Sequence, residues 1–176
     1  MNHPAKGQTP FPEVCARLPG VTDIRLPLGG VNFSVRVAIF CVRDGKVLAT
    51  SEPGLPFWYL PGGALAVDED AASGAAREWR EETGLAPGPL RFLGVVESFF
   101  GHGRGRHHEI GFYFRLEAPP ELPTSGFLLL DKPEFFCDWI PVEDLASRPV
   151  HPLAAHELLN LPEGSVGHIV NREDRE

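Results

Sequence analysis

The stretch "GALAVDEDAASGAAREWREETGL", Gly63–Leu85, decides how this chain folds. Asp68, Glu69 and Asp70 form an acidic run of the kind favoured by the positive end of a helix dipole, and Gly84 is a natural C-terminal stop. The pattern predicts a helix from Glu69 or Asp70 to Thr83. Its apolar stripe is Ala72, Ala75, Ala76 and Trp79, spaced three and four apart. Gly74 inside it costs about 1 kcal/mol relative to alanine, a cost that makes sense where a strand or loop lies close against it. With about 100° per residue, Glu78, Glu81 and Glu82 fall within an arc of roughly 100° beside that stripe. Carboxylates three or four apart repel by about 0.2 to 0.5 kcal/mol per pair, and near a helix C-terminus they also oppose the dipole. Read alone, "REWREE" fits a solvated face of mixed charge, with Arg77 four residues before Glu81.

Upstream, "VRVAIFCV" from Val35 is β-branched and apolar, "RDGK" supplies Asp44-Gly45 for a tight turn, and "VLATS" follows, which predicts a hairpin. "LPFWYLPGG" is a loop leading into the helix. Downstream, "LRFLGVVESFF" and "HHEIGFYFRLE" read as strands around the glycine-rich loop "GHGRGR", a second hairpin. His108, Ile110, Phe112, Phe114 and Leu116 share one face of the returning strand; His107, Glu109, Tyr113 and Arg115 share the other. "FLLL" and "FFCDWI" are strands around "DKPE", and "PVEDLASRPVHPLAAHELLN" holds helix starts interrupted by Pro149 and Pro152. The order of elements predicts an α+β or three-layer α/β/α fold in which helices cover a mixed sheet.

At 176 residues the chain fits one domain, expected over 31–165, with an irregular proline-rich lead-in at 1–30 and a C-terminal tail at 166–176. Hydrophobic residues at 43% and charged residues at 23% fit a packed globular core. A net charge of −8 argues against broad binding to duplex nucleic acid or an anionic membrane, so an anionic partner needs a cation as mediator. Cys15, Cys41 and Cys137 are odd in number and far apart, which predicts reduced thiols, two of them buried, and no zinc site. With no signal-peptide run and no apolar span of membrane length, a cytoplasmic location is expected.

Gly63 is followed by five residues and Glu69, then by seven residues and Arg77-Glu78. The segment resembles the Nudix box, G-x5-E-x7-R-E-U-x-E-E-x-G-U with U bulky and apolar, at Gly63, Glu69, Arg77, Glu78, Trp79, Glu81, Glu82, Gly84 and Leu85. Seven identities at fixed spacing arise by chance on the order of once in a million or less often. Trp79 is larger than the Ile, Leu or Val usual at its position. "WYLPGG" and "WIPVEDL" are also similar to family segments, which extends the resemblance over about residues 33 to 160.

The resemblance implies a Nudix-type α/β/α sandwich. It also implies metal-dependent hydrolysis of a nucleoside diphosphate linked to another moiety, giving a nucleoside monophosphate and the phosphorylated moiety. Glu78, Glu81 and Glu82 are the implied ligands of magnesium or manganese, assisted by the Gly63 carbonyl, and hard oxygen ligands suit those ions. Arg77 is implied to orient the box glutamates, since a planar guanidinium grips carboxylates bidentately. Glu69 is either a metal contact or a helix-end carboxylate. Glu81 is the first candidate for general base; Glu134, Asp138 and Glu109 are candidates outside the box. His107 and His108 point to opposite faces of a strand and cannot easily grip one metal. Arg104 and Arg106 sit either in a mobile hairpin tip or in a lid that contacts phosphates.

Nudix subfamilies preferring NADH carry "SQPWPFPxS" after the box, and this chain has "APGPLRFLGVVESFF" there. The proline and tyrosine that mark ADP-ribose and diadenosine polyphosphate preference are absent from the corresponding positions, Phe100 to Gly103. Nucleoside triphosphates, nucleotide sugars and ADP-ribose all stay open as small-molecule partners, and a homodimer is an option. The other reading is a regulatory Nudix module that binds nucleotides without cleaving them, although such modules often lose box carboxylates and this chain keeps them all.

Overall fold

The structure is a computed structural model and describes residues 22–102, 105–145 and 147–173. Strand β1 (Arg25–Leu28) is followed by β2 (Val31–Arg43), β3 (Lys46–Ser51), β4 (Trp58–Tyr59) and helix α1 (Ala71–Thr83). Then come β5 (Arg91–His102), β6 (Gly105–Glu117), β7 (Phe127–Leu128), β8 (Phe136–Pro141), β9 (Val150–His151) and β10 (Gly167–Arg172), with 3-10 segments at Val142–Asp144 and Leu153–Asn160. All ten strands join one mixed sheet in the order β10-β5-β6-β2-β3-β4-β9, with β1 beside β2, β8 beside β3, and β7 beside β8.

The predicted hairpin at Asp44-Gly45 survives only as a turn. Both residues have positive φ, 48° and 72°, the geometry that matches strand twist in a two-residue loop. Beyond the pairs Val42–Val47 and Arg43–Lys46, however, β3 leaves β2 and pairs with β8 along its whole length. The flank of β2 thus opened is filled by the loop before α1. Ile39 N donates to Pro61 O, Val37 N to Gly63 O, and Leu65 N to Val35 O, each at 2.9 Å. This wedge seats the start of the Gly63–Leu85 segment against the central strand.

The second predicted hairpin forms in full, β5 antiparallel to β6, with one irregularity near Phe92 and Gly94. Strand β6 also runs parallel to β2 from Val31–Arg106 to Val42–Glu117. Alternation then divides the core. Ala38, Phe40, Val96 and Tyr113 pack on one face with Ala155 and Leu158 of the second 3-10 segment. Val37, Ile39, Phe114 and Leu116 pack on the other with Ala75 and Trp79 of α1. The expected α/β/α sandwich is therefore present, with 3-10 geometry supplying the second helical layer where Pro149 and Pro152 interrupt the sequence.

Two segments differ from expectation. Residues 25–28, placed in the irregular lead-in, pair with β2 as β1 across the Gly29-Gly30 turn. Residues 167–172, placed in a tail, form β10 and pair in parallel with β5. Both are short edge strands, too short for periodicity to mark; the partner of β1 is its neighbour in sequence, whereas that of β10 lies far away in the chain. Cys41 and Cys137 are free and buried, as expected, and burial raises each thiol to a pKa of about 12. Cys15 lies outside the described residues. Among the described residues no helix is long and apolar enough to cross a membrane.

Candidate active site

Helix α1 starts one residue later than predicted because Asp70 is its N-cap, its carboxylate accepting from Ala72 N at 3.0 Å and Ser73 N at 2.9 Å. Gly84 closes the other end in the left-handed conformation, φ 73°, its N–H donating to Arg80 O. The buried face keeps Ala75 and Trp79 of the predicted stripe but not Ala72 or Ala76. Ala72 is exposed and Ala76 half-buried, while Gly74, Ala75, Glu78, Trp79 and Glu82 are buried. The helix is rotated because Gly74 lets it approach the incoming loop; a Cβ there would meet Leu65 Cδ1 at 2.5 Å. As a result Glu78 and Glu82 lie within the packed face, at 1% and 2% exposure, and not at its edge.

Burying two carboxylates requires compensation. Arg77 spends its donors on it: Nε and Nη2 grip both oxygens of Glu69 at 2.8 Å, and Nη1 reaches Glu78 at 2.7 Å and Glu81 at 3.1 Å. Nη2 also donates to Ala64 O at 3.2 Å, which ties the network to the loop before the helix. The Glu69 hydrogen bonds foremost, and the Glu78 contacts after them, raise the Arg77 pKa and secure its charge. Glu69 is thus the anchor of Arg77, and it also caps Ala66 N at 3.0 Å. Of the three box carboxylates named as ligands, only Glu81 is substantially accessible, at 25% of its side chain.

Glu82 accepts from Gly62 N at 3.0 Å and from Lys132 Nζ at 3.1 Å. Lys132 also lies 3.3 Å from Asp131, in a loop docked on the helix end by Leu130 N donating to Glu82 O. Burial foremost, partly offset by Lys132 and reinforced by Glu78, pushes Glu82 up to about 7. Lys132 is the residue the sequence reading missed. It sits in the same "DKPE" tetrapeptide as Glu134, and no local pattern shows which of the two side chains turns inward.

Gly63 is required by Glu78, because a Cβ there would fall on the Glu78 carboxylate. Its carbonyl, expected to face a metal, accepts from Val37 N at 2.9 Å. Among the described residues no three acidic, His or Cys side chains are already gathered around a cation position. The box glutamates are held by Arg77 and Lys132.

The remaining candidates are dispersed. Glu134 is exposed in its loop. Asp138 turns to its own neighbour, Trp139 N, at 2.8 Å. Glu109 lies on β6 with Ser34 Oγ at 3.4 Å. Arg106 is part of β6, exposed and opposite Val31, so it is not in a loop; Arg104 lies outside the described residues. His107 stacks on Phe100 at 4.8 Å and His108 on Phe99 at 4.4 Å, which places the two imidazoles on opposite faces, as expected.

Residues 32–161 match the profile of the NUDIX domain, and the box residues lie inside that match. The chain belongs to the Nudix hydrolase family. This Nudix protein is 30% identical over 132 residues to phosphatase NudJ of Escherichia coli K12, across 72% of this chain and 82% of NudJ. NudJ of Shigella flexneri matches equally. Among solved structures, MutT from Bacillus halodurans superposes with a TM-score of 0.59 at 18% identity, covering 79% of this chain and 88% of MutT. The MutT Nudix hydrolase of Burkholderia pseudomallei gives 0.59 at 24% identity, covering 74% and 98%. These structures share the fold.

Proposed function

We propose that this Nudix protein uses magnesium or manganese to hydrolyse a phosphoanhydride bond in a nucleoside diphosphate linked to a further moiety. The products are a nucleoside monophosphate and the phosphorylated moiety. The observation that carries this reading is the pair of buried carboxylates, Glu78 and Glu82, on one helix face beside the accessible Glu81. Burial pushes the Glu82 carboxyl up to about 7, and a divalent cation beside it would favour its ionised form.

The donor set fits a hard cation, because all three groups are carboxylates on one side of a helix. Glu78 and Glu82, with Glu81, would hold it, and the Gly63 carbonyl, which accepts from Val37 N, would assist through its second lone pair. When bound, the cation neutralises the diphosphate and lowers the pKa of a bound water. Arg77 fixes the orientation of Glu78 and Glu81 through Glu69. Glu81 takes the proton of the attacking water as the water oxygen bonds to phosphorus and the anhydride oxygen leaves; Glu134 is the second candidate for that role. Arg106 and Arg104 are proposed to meet substrate phosphates from the β5–β6 end. The catalytic unit is residues 31–165, with β1 and β10 as added edge strands. Its partner is a small nucleotide-type molecule in the cytoplasm and not duplex nucleic acid or a membrane.

The test is a panel of nucleoside triphosphates, nucleotide sugars and ADP-ribose incubated with the protein and magnesium or manganese. Release of a nucleoside monophosphate from at least one compound is expected. Binding of a compound without cleavage would make the chain a regulatory module instead.

A further inference from the structure

The sheet face turned away from α1 carries a polar row that the glutamate site does not use. Strand register aligns Ser34 of β2, Glu109 of β6, Ser98 of β5 and Asn171 of β10 side by side. Arg36 follows Ser34 two residues on, on the same face, opposite Gly111. The next rows inward, Ala38 and Phe40 with Tyr113 and Val96, are apolar core.

Polar atoms buried in such surroundings are normally hydrogen-bonded. Here Arg36 Nε and Ser98 Oγ are buried with no partner among the described residues. Among the described residues the one hydrogen bond to Glu109 is the long 3.4 Å contact from Ser34 Oγ. Arg36 forms no ion pair among the described residues. Arg36, Ser34 and Glu109 nevertheless keep part of their surface open to solvent, so a ligand can reach them.

Arg36 is also within electrostatic reach of the glutamate site. Burial works against the Arg36 charge, yet Glu109, Tyr113, Glu82 and Glu78 together raise its pKa. The Tyr59 hydroxyl, raised by burial to about 12, feels both Arg36 and Glu109. A permanently charged planar fork calls for an oxyanion, whereas an ionised carboxylate accepts only and calls for donors. A ligand meeting both carries phosphate next to hydroxyl or amino groups.

We infer that Arg36 and Glu109 recognise the nucleotide half of the substrate, the guanidinium binding a phosphate oxygen and Glu109 binding donors of the ribose or base. This rests on the reading of the glutamate site as a phosphoanhydride hydrolase. The competing role is structural, with Arg36 serving only as counter-ion to the acidic site.

Calorimetric titration of the full chain in magnesium with α,β-methylene-ADP and with methylenediphosphonate separates the two. Manganese affinity of each variant is measured by electron paramagnetic resonance without nucleotide. R36Q should weaken both ligands by about tenfold to a hundredfold, the range for losing a hydrogen bond to a charged group, and leave manganese affinity unchanged. R36K should recover part of the loss, and E109Q should weaken the nucleotide analogue alone. Unchanged analogue binding by R36Q, or a parallel loss of manganese affinity, overturns the inference while leaving the hydrolase reading intact. A wild-type protein that binds neither ligand overturns both. If thermal melts show that R36Q does not fold, E109Q decides: selective weakening of the nucleotide analogue supports the inference, and equal binding of it by E109Q and wild type overturns it.

Discussion

Glu82 shows how far a residue's role depends on what surrounds it. In sequence it is one of three clustered acids; in the structure it is buried between Gly62 N and Lys132 Nζ. Glu82→Gln is expected to lower manganese affinity and hydrolysis by more than the about 10- to 100-fold typical of an outer-sphere partner, measured by titration and steady-state rates. The same burial has a pH consequence without metal. Because the Glu82 pKa is raised from 4.5 to about 7 on folding, the native state holds the proton more tightly than the unfolded chain. Its contribution to stability therefore falls as pH rises between those values. Urea titrations of metal-free wild type, referred to Glu82→Gln, should show this loss, and manganese should remove it. Arg77→Lys should cost about 10- to 100-fold in metal affinity, since an ammonium cannot hold both oxygens of Glu69 while reaching Glu78 and Glu81. Equal affinity in Arg77→Lys and wild type would reduce Arg77 to a surface charge. The identities of these residues were legible from their spacing through its resemblance to the Nudix box; Lys132 was not, because its partner Glu82 lies on another element, and Arg36 was not, because only strand register sets it beside Ser34 and Glu109.

At the scale of elements, α1 was legible to within one residue at its start, through Asp70 and Gly84. Its rotation was not. Alanine contributes little area to burial, so a stripe of alanines fixes a helix face weakly, and the close approach at Gly74 decides it instead. Gly63→Ala tests the fit of loop to helix. The added methyl displaces the Glu78 carboxylate, so metal affinity and rate should fall while the urea midpoint moves far less than for Trp79→Ala. Trp79 is fully buried, and its truncation should cost about 3–5 kcal/mol. The β2–β3 hairpin was legible at its turn, where Asp44 and Gly45 have the required φ, and wrong beyond it. Turn chemistry is local, whereas the choice of β8 and the Pro61–Leu65 loop as flanking partners is not.

Across the whole molecule, the mixed sheet and its two covered faces follow from the alternation in β2 and β6, but its edges do not. Deleting residues 167–176 should distinguish a tail from a structural strand. Loss of β10 bares the edge of β5 and removes Ile169, which packs against the core, so a clear fall in melting temperature is expected; an unchanged melt would restore the tail. What the sequence by itself determined is the helix with its caps, the glutamate spacing and the Asp44-Gly45 turn, since each depends on residues close to one another in the chain. Only the tertiary structure decided that Glu78 and Glu82 are buried, that Lys132 answers Glu82, and that Ser34 and Glu109 meet in one polar row on the face of Arg36. Those contacts join residues about 20 to 75 positions apart in the chain, and burial, not local pattern, sets their energies.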